Sequence, residues 1–253
     1  TVNKLGKLIG VSVGPGDPGL ITRRGWELLN QPEMVWTYPV RNEKSDSFAL
    51  GIVLRSGLEL PAEHTPLIFP MTHDLEKLAK AWIRAAQQVF ELLTQGKDVI
   101  FLVEGDASTY STFGHLAKSL KGLDKNVEVE VVAGVTSFSA AAAVVGNPIV
   151  EVDDTLAILP AGYGVDTVEN LLNDFDSLVL MKVKPLMDDL LDMLERKGVL
   201  ADSVFVERVG APDERVVRDL LSLRGEKVNY LSLLLVKNPN RVKGEIQRGC
   251  RKK

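Results

Sequence analysis

The stretch KLIGVSVGPGDPGLIT, residues 7–22, decides how the rest of the chain is interpreted. It joins an apolar run, Leu8–Val13, to a turn rich in glycine and proline and then to a predicted helix, Leu20–Asn30. An apolar run followed by a glycine-rich turn and a helix is typical of the first strand–loop–helix unit of an α/β fold. The turn also satisfies G-x-G-x-x-G, a pattern found in dinucleotide-binding loops. The stretch therefore predicts an α/β domain and raises the question of what its first loop binds.

The chemistry of this turn differs from that of a dinucleotide loop. Such a loop offers backbone N–H groups to a pyrophosphate, whereas Pro15 and Pro18 lack an N–H and Asp17 adds a carboxylate. The acidic residue expected about 20 residues further on is absent, because the second predicted strand ends in Thr37-Tyr38-Pro39. No Gly-Lys-Ser/Thr follows, which excludes a P-loop. Two interpretations remain: a structural turn, or a loop that packs closely against a ligand without phosphate.

Apolar runs alternate with helical patterns along the chain, as in a largely parallel sheet covered by helices. The longest predicted helix, Asp74–Gln95, has one apolar stripe and ends before Gly96. The predicted strands of the first half are Leu8–Val13, Met34–Thr37, Leu67–Phe69, Val99–Val103 and Val127–Val132. Those of the second half are Leu156–Leu159, Leu178–Lys182, Val204–Val206 and Leu231–Val236.

The second half differs from the first in its strand spacing. The stretch ERVVRDLLSLRGEKVNYLSLLLV, residues 214–236, resembles a hairpin and predicts a mixed sheet. We therefore predict two α/β domains: residues 1–132 with a mostly parallel sheet, and residues 133–240 with a mixed sheet. Residues 241–253, RVKGEIQRGCRKK, form a basic tail that we expect to be mobile.

Composition excludes several classes of function. The 253 residues are enough for two domains, and the net charge of −4 does not favour nucleic-acid binding. No apolar run approaches the roughly 20 residues of a membrane span, and the first residues lack the layout of a signal peptide. One cysteine, Cys250, allows no disulfide framework, and His64, His73 and His115 share no metal-ligand spacing. We expect a cytoplasmic protein with no metal and no membrane or nucleic-acid partner.

Two further stretches follow predicted strands in the same way as the first loop. VIFLVEGDASTYSTF, residues 99–113, places Glu104, Gly105 and Asp106 directly after a buried strand. VVAGVTSFSAA, residues 131–141, places Thr136 and Ser137 at a helix start. The carboxyl ends of parallel strands are where ligands bind, although each stretch alone is also explained by an ordinary turn or helix cap.

The three stretches in this order resemble the tetrapyrrole methyltransferase family, whose methyl donor is S-adenosyl-L-methionine. The resemblance runs from Leu8 to about Pro239. Within the family, the chain is similar to the branch that methylates precorrin-2, or its cobalt-containing counterpart, at C-20. The segments that carry this likeness are Tyr38-Pro39, FPMTHD at 69–74, YSTF at 110–113 and TLAILPA at 155–161. Two alternatives remain: a family member that acts on another precursor, such as uroporphyrinogen-III or precorrin-4, and a non-catalytic module that binds a tetrapyrrole or nucleotide.

The resemblance implies two α/β domains with the methyl donor in the cleft between them. The cofactor-binding residues that it implies are Pro15, Glu104, Gly105, Asp106, Thr109, Thr136, Ser137, Met181 and Val209. Asp106 would accept a hydrogen bond from the donor's ammonium group, and Met181 with Val209 would flank the adenine. A donor without phosphate is consistent with the prolines and aspartate of the first loop. The family also implies a homodimer, and the long stripe of the predicted helix Asp74–Gln95 favours one.

The tetrapyrrole substrate carries many carboxylates, so basic residues at strand ends are candidate partners. The expected substrate-binding residues are Tyr38, Arg41, Tyr110 and Arg208, with Lys44, Lys182 and Lys184 as further candidates. The residue that removes a proton from the substrate is not identified by the sequence.

Three positions depart from the family's pattern. Ser12 stands where relatives have a small apolar residue or glycine, Ala107 where many have proline, and Ala133 where proline is frequent. We expect these changes to loosen a loop without removing a chemical group.

Overall fold

The first five strands form one parallel sheet in the order β3-β2-β4-β1-β5. They are β1 Leu8–Ser12, β2 Val35–Val40, β3 His64–Ile68, β4 Val99–Val103 and β5 Val129–Val132. Every residue of β1 and β4 is buried, because central strands of a sheet covered on both faces have no solvent side. The five strands predicted in this half of the sequence are confirmed, although β2 ends three residues later and β3 begins three residues earlier than predicted.

Five helices follow these strands along the chain. They are α1 Arg23–Leu29, α2 Phe48–Arg55, α3 Leu75–Thr94, α4 Phe113–Leu123 and α5 Ser137–Val145. Helix α1 begins later than predicted because Thr22 caps it, while Leu20 belongs to a short 3₁₀ turn that Asp17 caps. Asp74 caps α3 by accepting from two backbone N–H groups. The sequence analysis predicted neither α4 nor α2, and α2 proves important for the first loop.

The second sheet is mixed, as predicted, with the order β6-β7-β10-β8-β9. Its strands are β6 Leu156–Pro160, β7 Ser177–Met181, β8 Ser203–Glu207, β9 Arg215–Val217 and β10 Ser232–Lys237, and its helices are α6 Val165–Leu171 and α7 Met187–Arg196. The hairpin expected within residues 214–236 is wrong, because β9 pairs with β8 and not with β10. The apolar β10 instead lies between β7 and β8, antiparallel to both, where both of its edges are hydrogen-bonded.

The described residues, 4–247 and 249 of this computed structural model, divide into two units. One extends to Ala140 and includes Gly210–Pro212, and the other comprises Ala141–Val209 and the residues from Asp213 onward. The domain boundary near residue 133 stays a prediction, and Cys250 lies outside the described residues. Among the described residues, none of the helices has the length and apolar composition that a membrane span requires.

The first residues of the expected mobile tail are attached to the second unit. Asp176, only 5% exposed, accepts from the Thr155 N–H at 2.8 Å and from Arg241 Nη1 at 3.0 Å. Burial raises the pKa of Asp176, but the hydrogen bonds from Thr155 and Arg241 outweigh it and lower the pKa to about 2. Lys243 pairs with Asp154 nearby. The start of the basic segment therefore has fixed acidic partners.

Candidate functional site

The loops after β1 and β4 lie at a point where chain connections diverge. β1 and β4 are neighbours, yet the chain continues from β1 to β2 on one side of the pair and from β4 to β5 on the other. In open parallel sheets, ligands bind outside the carboxyl ends of strands at such a switch point. The topology therefore places the first two loops singled out by the sequence at the expected binding edge.

The first loop, residues 14–19, is joined to the second by its backbone. The Gly14 N–H donates to the Gly105 carbonyl at 3.2 Å, and the Gly105 N–H donates to the Gly14 carbonyl at 2.7 Å. Both glycines have positive φ, 76° for Gly14 and 69° for Gly105, a conformation that glycine adopts without steric cost. Pro15 follows immediately and is buried. The two loops thus form one connected surface.

Asp106 joins the second loop to the third, which follows β5. Its Oδ1 accepts from the Gly134 N–H at 3.0 Å, and its Oδ2 accepts from the hydroxyls of Ser108 and Thr109. Burial raises the pKa of Asp106, but these hydrogen bonds outweigh it and hold the pKa below its ordinary value. At 9% exposure, the carboxylate already has three donors within the protein. Asp106 therefore connects the second and third loops through its own hydrogen bonds, independently of any ligand.

Ser12, the last residue of β1, is hydrogen-bonded to the second loop. Its Oγ accepts from the Ala107 N–H at 2.9 Å, and both residues are buried. Two of the departures from the family's pattern are therefore joined directly, contrary to the loosening expected from the sequence. Gly134 also packs so closely that an added Cβ would overlap Ser12 and the Gly105 carbonyl. The three loops form a densely connected edge.

The third loop ends at the start of α5. Thr136 Oγ1 accepts from the Ser139 N–H at 3.2 Å, and the Thr136 carbonyl accepts from the Ala140 N–H at 3.1 Å. Thr136 is thus the capping residue, and Ser137 is the first residue of the helix. A helix start presents partial positive charge to an anionic group, and Glu104 supplies an exposed carboxylate in the second loop.

Two contacts on the first loop come from residues that the sequence analysis missed. Arg55, at the end of α2, donates from Nη2 to the Gly16 carbonyl at 2.6 Å. Gly210, with φ of 76°, lies so close that a Cβ there would overlap the Asp17 backbone nitrogen. Arg55 belongs to a helix that no sequence pattern had indicated, and Gly210 is almost 200 residues from the loop. No signal in the sequence joined either residue to it.

The remaining candidate residues lie elsewhere. Met181 ends β7 in the second unit, and Val209 comes two residues after the end of β8. β10 separates the two strands, with Leu233 opposite Met181 and Ser232 opposite Glu207. Met181 and Val209 are therefore at the same, carboxyl edge of that sheet.

Left-handed backbone marks three of the candidate residues. Tyr110, Lys182 and Arg208 have φ of 52°, 55° and 49°. Such conformations are uncommon for residues with a Cβ and concentrate at functional sites. Arg208 also pairs with Asp213 at 2.7 Å.

The candidates after β2 show two different environments. Arg41 and Lys44 lie exposed just after β2. Tyr38 is buried, and its hydroxyl is 2.9 Å from Nδ1 of His64, the first residue of β3. That contact directs the hydroxyl toward the amino ends of the strands. The geometry does not favour the expected substrate contact of Tyr38, which stays a prediction.

Comparison with known proteins gives consistent results. Residues 7–223 match the family model described as tetrapyrrole (corrin/porphyrin) methylases. A probable cobalt-precorrin-2 C(20)-methyltransferase of Methanocaldococcus jannaschii is 35% identical, over 93% of this chain and 98% of the relative. The cobalt-precorrin-2 C(20)-methyltransferase of Salmonella typhimurium is 32% identical, over 91% of this chain and 96% of the relative. A precorrin-2 C(20)-methyltransferase of a Sinorhizobium species is 29% identical, over 92% and 95%.

Solved structures show the same fold. A cobalt precorrin-4 methyltransferase covers 91% of this chain and 94% of its own, with a TM-score of 0.67 and 23% identity. The uroporphyrin-III C-methyltransferase of Thermus thermophilus, described as complexed with S-adenosyl homocysteine, covers 92% of this chain and 97% of its own, with a TM-score of 0.61 and 23% identity.

Proposed function

Because this chain belongs to the tetrapyrrole (corrin/porphyrin) methylases, we propose that it transfers a methyl group from S-adenosyl-L-methionine to C-20 of precorrin-2 or cobalt-precorrin-2. The reaction belongs to corrin biosynthesis: the bond between the methyl group and the sulfonium breaks, a carbon–carbon bond forms at C-20, and S-adenosyl-L-homocysteine and a proton are released. The observation that carries the proposal is the agreement of three relatives, 29–35% identical over more than nine tenths of this chain, whose names share this reaction.

The chemistry of the three loops fits this methyl donor. Residues 14–19, 104–109 and 134–137 contain no lysine or arginine, so the loops offer no cationic side chain to a phosphate. They do offer a carboxylate at Glu104, a glycine at position 105 whose Cβ position meets only the Val135 carbonyl oxygen at 4.0 Å, and a helix start at Ser137. Carboxylate and carbonyl oxygens suit an ammonium group, and a helix start suits a carboxylate. This set matches the zwitterionic amino-acid end of the donor.

The loop residues take the following roles in the proposal. Pro15 lines the donor, Glu104 and Gly105 contact its amino-acid end, and Asp106 accepts from its ammonium group. Thr109 contacts the same end through its backbone, while Thr136 and Ser137 position the donor at the start of α5. The remaining contacts, from Met181 and Val209 to the adenine, rest on the family resemblance.

The loops contribute chiefly alignment to the reaction. S-adenosyl-L-methionine supplies an electrophilic methyl group on its sulfonium, and the substrate supplies a nucleophilic ring carbon. Alignment of two bound reactants at about 3–3.5 Å provides a large part of such a rate enhancement. The backbone bridge between Gly14 and Gly105 and the bond from Gly134 to Asp106 hold the loops in place before binding, so ordering them costs little.

The substrate side of the proposal rests on charge. We assign Arg41, Tyr110 and Arg208 to the tetrapyrrole, whose carboxylates pair with guanidinium groups. Arg41 is exposed after β2, and the strained backbone of Tyr110 and Arg208 is typical of ligand contacts. The proposal also includes a cytoplasmic location, supported by the single cysteine of the sequence.

Calorimetry and a turnover assay test the proposal in two steps. We expect S-adenosyl-L-homocysteine to bind, and NAD and ATP to give no heat. With precorrin-2 or cobalt-precorrin-2 as substrate, we expect one added methyl group by mass, placed at C-20 by NMR. Heat from NAD alone would overturn the cofactor assignment. A new methyl on a pyrrole β-carbon would place the enzyme in another branch of the family.

A further inference from the structure

Arg55 makes a contact that the proposed function does not use. It ends α2, and its Nη2 donates to the carbonyl of Gly16, the residue after Pro15. We propose that Arg55 is a positioning residue that holds the first loop, and with it Pro15, in the conformation that receives the methyl donor. The effect of Arg55 on donor binding rests on the proposed function, whereas its hydrogen bond to the first loop does not.

The loop needs an external donor because its own sequence removes the local ones. In a tight turn a carbonyl is bonded by the N–H three residues later. For Pro15 that position is Pro18, which has no N–H. For Gly16 it is Gly19, whose N–H is already bonded to the Asp17 carboxylate at 2.8 Å. The Gly16 carbonyl is therefore left for Arg55, which satisfies it from 39 positions away.

The same peptide is restrained by Gly210. An added Cβ at that position would overlap the backbone nitrogen of Asp17 and approach the Gly16 carbonyl carbon at 2.9 Å. Before this peptide, Gly14 is bridged to Gly105. After it, Asp17 caps the 3₁₀ turn of residues 18–20. Arg55 thus adds a hydrogen bond from a distant side chain to a segment that is otherwise held by its own backbone, by the Asp17 cap and by packing.

The guanidinium of Arg55 makes this hydrogen bond without a competing ion pair among the described residues. Within residues 4–247 and 249, no carboxylate lies within ion-pair distance of its guanidinium, whereas neighbouring Arg23 pairs with Glu27 at 2.8 Å. A hydrogen bond from an ionised donor is stronger than one between neutral groups. Loss of a bond of this class reduces affinity about tenfold or more when the ligand depends on it.

The test compares four proteins: wild type, Arg55→Ala, Arg55→Lys and Arg23→Ala. Arg55→Lys keeps the positive charge at the end of α2, which favours the helix, but loses the planar guanidinium. Arg23→Ala is the matched control, because it removes an exposed arginine from the adjacent helix. Hydrogen exchange of residues 16–20 is measured without ligand, and the Kd for S-adenosyl-L-homocysteine by calorimetry.

We expect faster exchange of residues 16–20 and an approximately tenfold higher Kd in Arg55→Ala, with smaller changes in Arg55→Lys and none in Arg23→Ala. Methylguanidinium added to Arg55→Ala should restore part of the affinity, which a general loss of stability would not allow. Unchanged exchange in Arg55→Ala and Arg55→Lys would overturn the positioning role. Faster exchange with an unchanged Kd would overturn its link to the donor. If wild type binds no S-adenosyl-L-homocysteine, the proposed function fails. The hydrogen exchange of residues 16–20 in wild type and in the Arg55 variants then still tests whether Arg55 holds the loop.

Discussion

At the scale of single residues, hydrogen-bond partners distinguish structural from ligand-binding roles. Ser12 has one clear task, since its hydroxyl accepts the N–H of Ala107 and both residues are buried. A buried N–H without an acceptor costs about 1–3 kcal/mol. A proline at position 107 would have no N–H to satisfy, so a serine at position 12 is useful because position 107 is alanine. The hydroxyl thus compensates for a backbone group, and no catalytic role is needed to explain it.

Asp106 combines both kinds of role, and two substitutions separate them. Asp106→Ala removes the acceptor of the Gly134 N–H, so we expect a lower melting temperature together with weaker binding of S-adenosyl-L-homocysteine. Asp106→Asn keeps an oxygen acceptor but loses the charge. We expect it to melt near wild type and still to bind about tenfold to a hundredfold more weakly, since bonds to charged groups contribute about 1.5–3 kcal/mol. Wild-type affinity in Asp106→Asn would show that the carboxylate serves the loops alone.

At the scale of elements, the connection between β8 and β9 contributes Gly210, whose close approach to Asp17 leaves no room for a Cβ. Gly210→Ala would place a methyl group on the Asp17 backbone and would also strain a φ of 76°. Gly225→Ala is a matched control, because its φ of 74° imposes the same strain while nothing lies within 4 Å of its Cβ position. We expect both variants to lose stability in urea unfolding, and only Gly210→Ala to bind S-adenosyl-L-homocysteine more weakly. Equal affinity in the two variants would contradict this assignment.

At the scale of the whole molecule, we propose a homodimer through the first turns of α3. Within α3, Ala85, Ala86, Val89 and Leu93 are buried. Towards its start, Leu75 is 79% exposed and Ile83 is 50% exposed. Leu75 belongs to the apolar stripe that favoured a homodimer, whereas Ile83 lies beside that stripe, and a second copy of the chain would bury both exposed side chains.

Light scattering tests this arrangement. We expect wild type to have about twice the chain mass of 27.7 kDa, and Ile83→Lys to shift the protein toward the monomer. Val152→Lys is the control, because Val152 is 96% exposed and lies outside α3. A wild-type mass of one chain would reject the dimer. A dimeric Ile83→Lys would reject this face.

Local patterns in the sequence indicated every strand of the described residues except β9, and they also indicated the chemistry of the loops. β1 and β4 read as continuous apolar runs because they are buried on both faces. The prolines of the first loop excluded a pyrophosphate because they remove N–H groups, a property that holds in any fold. The order of the three loops along the chain likewise indicated the family.

Tertiary structure alone decided which groups meet. β10 lies between β7 and β8, although adjacency along the chain had favoured a pairing with β9. Ser12 meets Ala107 across 95 positions and Arg55 meets Gly16 across 39. Side-chain periodicity reports only which face of an element is buried, whereas these bonds depend on how strands are ordered in the sheet. The sequence by itself thus indicated the type of ligand, and the packing of distant elements determined what holds the three loops in place.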